Sequence, residues 1–153
     1  MIELYKPEIK DLWFKQKMLS DEQTMSYNKA YGGTIQFPEE CWEKWYERWI
    51  LNHERKRFYR YIKVNDMFVG EVSYHFDEIK KIYMVDVLIY NPYRYKGYGS
   101  EALDKICYIA KENGIYELFD EIDIENSSIT MFLKNGFEEI TREKEYVQIK
   151  RKL

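Results

Sequence analysis

Cysteine, proline, glycine and histidine are all scarce in this chain. Its 153 residues hold two cysteines, three prolines, seven glycines and two histidines. Two thiols, Cys41 and Cys107, with no CxxC pair and no His/Cys cluster, exclude a disulfide scaffold and argue against a structural metal site. Both fall at apolar helical positions and read as buried, reduced thiols. No stretch is rich in Pro, Gly or Ser, so no linker divides the chain, and residues 1–153 read as one domain. No apolar run is long enough for a membrane span or signal peptide, which points to the cytoplasm and to no membrane partner. Neither charge dominates: 24 basic against 27 acidic residues leave a net charge of −3. That balance argues against a nucleic-acid partner.

What is abundant is hydrophobic and aromatic material, 45% and 18% of the chain, with fifteen tyrosines. That is enough for a real core. Residues 2–5 read as a short strand and 8–19 as a helix. A long connection, 20–37, follows, and connections of this length are usually functional. Pro38, Glu39 and Glu40 open a helix reaching about residue 52. Its Trp42, Trp45, Tyr46 and Trp49 recur at spacings of three and four, which suits core packing or a pocket wall. Strands over 58–64 and 67–76 flank an Asn65-Asp66 turn, and a third covers 82–90. A strand over 116–124, a short helix from Asn126 or Ser127 to Asn135, and a closing hairpin, 137–140 with 146–150, complete the chain. The expected fold is α/β: a mixed, mostly antiparallel central sheet of about seven strands, with helices on both faces.

The stretch 81–113 organises the rest. Residues 82–90 are nearly all β-branched, aromatic or aliphatic, as in a buried strand. Asn91-Pro92 breaks the pattern, and Arg94-Tyr95-Lys96-Gly97-Tyr98-Gly99 leads into a helix. On that helix Ala102, Leu103, Ile106, Cys107, Ile109 and Ala110 share one face. A glycine loop entering a helix N-terminus aims backbone N–H groups and the positive dipole end at one point, which is an anion cradle suited to phosphate. Arg94 and Lys96 set two cations beside it.

Gly97 to Ala102 also satisfies GxGxxA, the dinucleotide-binding pattern, with Glu117 and Asp120 downstream as the acid. An oxidoreductase reading rests on this alone. Against it, a polar, basic segment separates strand from glycine, and the chain offers a single crossover after an antiparallel meander. The element order, with Arg94, Gly97 and Gly99 as Arg/Gln-x-x-Gly-x-Gly/Ala and the segment ENSSITMFLKNGF over 125–137, resembles the GCN5-related N-acetyltransferase (GNAT) family.

The resemblance implies acetyl-CoA as co-substrate, no metal, and a small, cationic primary amine as acceptor, in a monomer or homodimer. It implies that Arg94, Tyr95, Lys96, Gly97, Tyr98, Gly99 and Ser100 hold the pyrophosphate. Ile89 and Tyr90 would bond the pantetheine arm through the backbone, and the N–H of Ile89 would serve as oxyanion donor. Asn126 (or, by a one-residue slip, Glu125) and Phe132 fall at further cofactor-contacting positions. Phe132 stands where the family often has a general-acid tyrosine, so a domain that keeps the cofactor without catalysis is a further reading. Attack by an amine requires a group to take its proton. The candidates are Glu121 on the fifth strand, with Asp120 as its competitor on the other face, and Asp86, a carboxylate within an apolar strand. His75, on the third strand, reads as a satisfied strand histidine ahead of a base near the pocket.

Overall fold

A computed structural model describes all 153 residues, Met1–Leu153. β1 (Glu3–Tyr5), β2 (Arg57–Val64), β3 (Met67–Asp77) and β4 (Ile82–Ile89) form an antiparallel meander. The β2–β3 turn is closed by Asn65 at φ 55, a left-handed position that Asn tolerates. α3 (Tyr98–Glu112) then crosses to β5 (Glu117–Asp123), which lies parallel to β4. α4 (Ser128–Lys134), β6 (Glu138–Arg142) and β7 (Tyr146–Lys152) follow. The sheet order is β1-β2-β3-β4-β5-β7-β6. The closing hairpin therefore enters the sheet by its second strand, with β7 antiparallel to β5 and β6 at the edge.

β4 and β5 share a single register pair, Met84 with Phe119. Past it the two strands leave the ladder while β4 stays paired to β3 as far as Ile89. Tyr90 N–H still reaches Val69 O at 2.9 Å. Antiparallel alternation then turns the N–H groups of Val85, Val87 and Ile89 away from β3, toward β5. Gly70, opposite Ile89, makes this end possible: a Cβ there would lie 2.4 Å from Leu88 O. Nothing in the pattern of β3 pointed to that need.

Two cores flank the sheet. On one face Val72, Val85, Leu118 and Val147 pack beneath Ala102, Leu103, Ile106, Cys107 and Ala110 of α3 and Phe132 of α4. On the other, Tyr59, Tyr61 and Leu88 meet Leu12, Phe14 and Met18 around α1 (Trp13–Ser20). The aromatic helix begins as a 3-10 turn, Glu39–Cys41, continues as α2 (Trp42–Tyr46) and widens into a π turn, Glu47–Leu51. Its Trp45 and Trp49 stack at 6.1 Å and both meet Tyr59, so the stripe packs on the second core. Cys41 corrects an expectation. It is exposed, because it ends the 3-10 turn on the solvent side, while Cys107 alone is buried. No helix is long and apolar enough to cross a membrane.

Candidate functional site

The end of β4 and the start of α3 form the first half of the site. Tyr95 and Gly97 take left-handed backbone, φ 65 and φ 83, and α3 begins at Tyr98. The N–H groups of Tyr95, Lys96 and Gly97 donate to nothing in the chain, and those of Tyr98, Gly99 and Ser100 precede the first helical bond, Glu101 N–H to Gly97 O. Six consecutive amides are thus left for an external acceptor, at the positive end of a 15-residue helix. The two glycines act differently. Gly97 supplies the left-handed turn, with open space where a Cβ would stand. Gly99 supplies room: its Cβ would lie 3.1 Å from Met131 Sδ and 3.4 Å from Ile89 Cγ1.

Arg94 does not stand free beside these amides. Its Nε donates to Ile89 O (3.2 Å), one terminal nitrogen to Thr24 O (2.8 Å) and the other to Gln23 O and Asn91 Oδ1 (3.4 Å each). Thr24, fully buried, accepts Asn91 N–H through its hydroxyl at 3.0 Å and is held in turn by Asp21. The beginning of the long connection is therefore clasped onto the strand end, a link that no local motif showed. Lys96 is exposed and has no ion-pair partner, so it is the cation left to the cradle. Tyr90 has both backbone groups engaged, its N–H by Val69 and its C=O by Tyr93. Of Ile89 and Tyr90, Ile89 is the one whose N–H turns to the gap between β4 and β5.

The second half lies on the α1 face of β4. Asp86 keeps 63% of its side chain open, contrary to the buried carboxylate expected, yet protein surrounds it. That enclosure raises its pKa; His75 opposes the rise and Glu71 adds to it. Asp120 curls into the gap between the strands, where its Oδ1 accepts the unpaired N–H of Glu121 at 2.8 Å. Enclosure first, then the Asp86 charge, pushes its carboxyl well above the usual range. Tyr27 belongs to the long connection, in the 3-10 turn Ser26–Tyr31. Enclosure and the charges of Asp86, Glu71 and Asp120 push its phenol up to about 12.

Beside them Lys15 of α1 reaches Glu71 of β3 with Nζ 3.0 and 3.2 Å from the two carboxylate oxygens, each side chain 11% exposed. The same ammonium lies 4.9 Å from the Tyr59 ring centre, 5.0 Å from Trp45 and 5.8 Å from Phe37. An aromatic cage for a cation exists here, and the chain's own lysine fills it. Neither Lys15 nor Glu71 carries a sequence signal, because the pair joins residues 56 positions apart.

Several candidates have other engagements. Glu121 is ion-paired with Lys80 of the β3–β4 turn. Asn126 precedes α4, its Oδ1 accepting Ser128 N–H at 2.9 Å. Phe132 is a core residue, 3% exposed and edge-on to Phe137, which leaves no surface for a cofactor. Helical periodicity put it on the inward face of α4, and that packing decides its place. Ser100 turns its hydroxyl to Asn135, whose Nδ2 donates to it at 2.8 Å, tying α3 to α4. No group of three or more His, Cys, Asp or Glu is arranged to hold a metal ion.

Comparison with known proteins agrees with this layout. Residues 2–138 match the family model described as Acetyltransferase (GNAT) domain. No curated protein matches the chain. Among solved structures, the spermidine N-acetyltransferase of Vibrio cholerae in complex with CoA and spermine is similar at 14% identity and TM-score 0.81, over 99% of this chain and 95% of that one. Ribosomal-protein-alanine N-acetyltransferase of Brucella melitensis is similar at 19% identity and TM-score 0.76, over 100% and 99%. A GNAT-family acetyltransferase of Bacillus anthracis is similar at 21% identity and TM-score 0.73, over 97% and 92%. At these identities the structures speak for the fold. One parallel pair within an otherwise antiparallel sheet leaves no room for the second parallel unit that a dinucleotide fold requires, and that alternative is set aside. The chain belongs to the GNAT family of acetyltransferases.

Proposed function

We propose that the chain, acting as one domain, transfers an acetyl group from acetyl-CoA to a primary amine of a small cationic acceptor, by direct attack in a ternary complex. The observation that carries this reading is the run of six unpartnered amides, 95–100, beside the open edge of β4. These amides and Lys96 would hold the pyrophosphate, and the pantetheine arm would lie along the gap past Met84 and Phe119. The Ile89 N–H would meet the thioester oxygen, where negative charge grows as the amine attacks.

An acceptor amine is charged at neutral pH and must lose a proton before it can attack. Asp86 lies three residues before Ile89, ~10 Å along the strand, so the proton would reach it through a short chain of waters. Its raised pKa suits it to hold that proton. Glu121, paired to Lys80, is less well placed, and Asp120 is the second acid of the cluster. Asp86, Asp120 and Tyr27 with the tryptophan walls suit an acceptor with a cationic neighbour to the reacting nitrogen. The Vibrio cholerae neighbour, bound to spermine, supports that class of acceptor. With Phe132 in the core, coenzyme A leaves as thiolate, which a thiol pKa of roughly 8.5 makes tolerable near neutrality.

Acetyl-CoA is expected to raise the melting temperature and NADH to leave it unchanged. An amine panel followed by coenzyme A release should give turnover with diamines ahead of monoamines. Binding of acetyl-CoA with no release from any amine would replace catalysis by a binding role; absence of any shift would overturn the cradle.

A further inference from the structure

His75 carries an unmet bond. It lies on β3 opposite Met84, and Asp86 lies on β4 opposite Ser73, so the two side chains are diagonal neighbours on the acceptor face. Nδ1 of His75 is buried with no hydrogen-bond partner, and the nearest carboxylate oxygen, Oδ2 of Asp86, is 4.0 Å away. A buried polar nitrogen without a partner is rare in folded proteins and calls for a reason. The ring is held edge-on to Trp49, 6.0 Å between centres, while 35% of the side chain stays open, so Nε2 is left on the solvent side. One nitrogen thus faces an acid at the acceptor site and the other faces water.

We propose that His75 is a positioning residue that works through Asp86, receiving the acceptor's proton from it and passing it to solvent. The proposal rests on the acetyl-transfer reading. In the step, an acceptor ammonium gives one proton to the Asp86 carboxylate. The neutral amine forms its bond to the acetyl carbon and the carbon–sulfur bond breaks to release thiolate. The second amine proton goes to solvent. The Asp86 carboxyl gives its proton to Nδ1, and the imidazolium beside the restored carboxylate loses a proton to cleft water. Closing the gap from 4.0 Å to a hydrogen bond requires only a side-chain adjustment.

The charged surroundings of His75 come from every packed element. Arg57 of β2 is its register partner, but that guanidinium donates to Arg48 O and pairs with Glu54. Asp77 lies two residues along β3, held by the amides of Ile79 and Lys80. Glu71 is neutralised by Lys15, and the remaining charges that bear on the acceptor-face acids are Asp120 of β5 and the phenol of Tyr27. Asp86 is the one acid that His75 faces without a competing partner.

Two measurements test this. In the first, the pH profile of kcat/KM is compared for wild type, H75N and H75Q. Both variants should lose about tenfold or more in kcat at pH 7 with acceptor KM changed less than threefold, and the acid limb should lose one ionisation. H75N keeps a polar atom near the Nδ1 position, so a limb of unchanged shape in both variants overturns the proposal. The second measurement does not depend on turnover. The chain has only two histidines, so ring C–H signals in NMR are assigned with H53Q. The ring nitrogen shifts of His75 should change in D86N at pH 7. Ring nitrogen shifts that D86N leaves in place overturn the pairing, even if no amine proves to be an acceptor.

Discussion

At the end of β4, six amides from one unbroken run of chain are left without partners. Along its side, Lys15, Tyr27, Tyr59, Glu71, His75 and Asp86 arrive from α1, the long connection, β2, β3 and β4. The first arrangement uses backbone, so its residue identities matter only where geometry demands glycine. The second uses side chains whose charges and rings hold one another, so each identity matters through its partners. A change at the cradle should therefore act locally and on the cofactor. A change on the acceptor face should spread into stability.

The largest effect expected is on the acceptor face. Lys15→Met leaves Glu71 buried without its cation and empties the aromatic cage, and removing one partner of a buried pair destabilises by about 3 kcal/mol or more. Chemical denaturation should show that loss, and Lys15→Met with Glu71→Gln together should recover a good part of it. Tyr59 bears on the outcome, since its buried hydroxyl lacks a hydrogen bond beside Glu71. A loss under about 1 kcal/mol for the single variant, as for a surface pair, would erase the contrast between the two regions.

The same contrast explains what could be read from the chain alone. Strand and helix order, the β4–β5 crossover and the glycine loop are contiguous signals, and period and turn chemistry reveal them. The π turn, the entry of β7 beside β5, the place of Gly70 and the Arg94 clasp depend on residues far apart in sequence. Arg94 matched a loop motif, yet its guanidinium binds carbonyls of residues 23, 24 and 89. Asp86 stood out as an acid in an apolar strand, but its 63% exposed side chain is set by packing that no stretch of sequence shows. Lys15 and Glu71 each looked like ordinary charges until the fold brought them together.

The next effect is smaller and changes with pH. Asp120 has a pKa raised well above its unfolded value, so the folded state favours its neutral form. Its contribution is most favourable below the ordinary carboxylate range and is lost as pH rises through the raised value. Asp120→Asn keeps the acceptor oxygen for Glu121 N–H and removes the charge. The variant should be more stable than wild type by about 1 kcal/mol at pH 7, roughly 3 °C in Tm, and equal to it near pH 4. A gain of equal size at both pH values would mean that the charge is not the cause. The acceptor KM should rise as stability rises, because the cluster loses one of its acids.

The smallest effect separates the two glycines of the loop. Gly97 has positive φ and open space beside it, so Gly97→Ala meets no neighbour and carries only left-handed strain, ~1 kcal/mol. The loop can relieve that strain when free and must restore it to present its amides, so acetyl-CoA should bind about fivefold more weakly, with Tm nearly unchanged. Gly99 has no such strain, and its added methyl would press on Met131 and Ile89. Gly99→Ala should therefore lower Tm, through the packing of α3 on α4 and β4, with the amides still in place. Calorimetric titration and thermal denaturation on both variants resolve the pair. If Gly97→Ala binds acetyl-CoA as wild type does, the amides of 95–100 are not the cradle, and the cofactor end would have to rest on side chains as the acceptor face does.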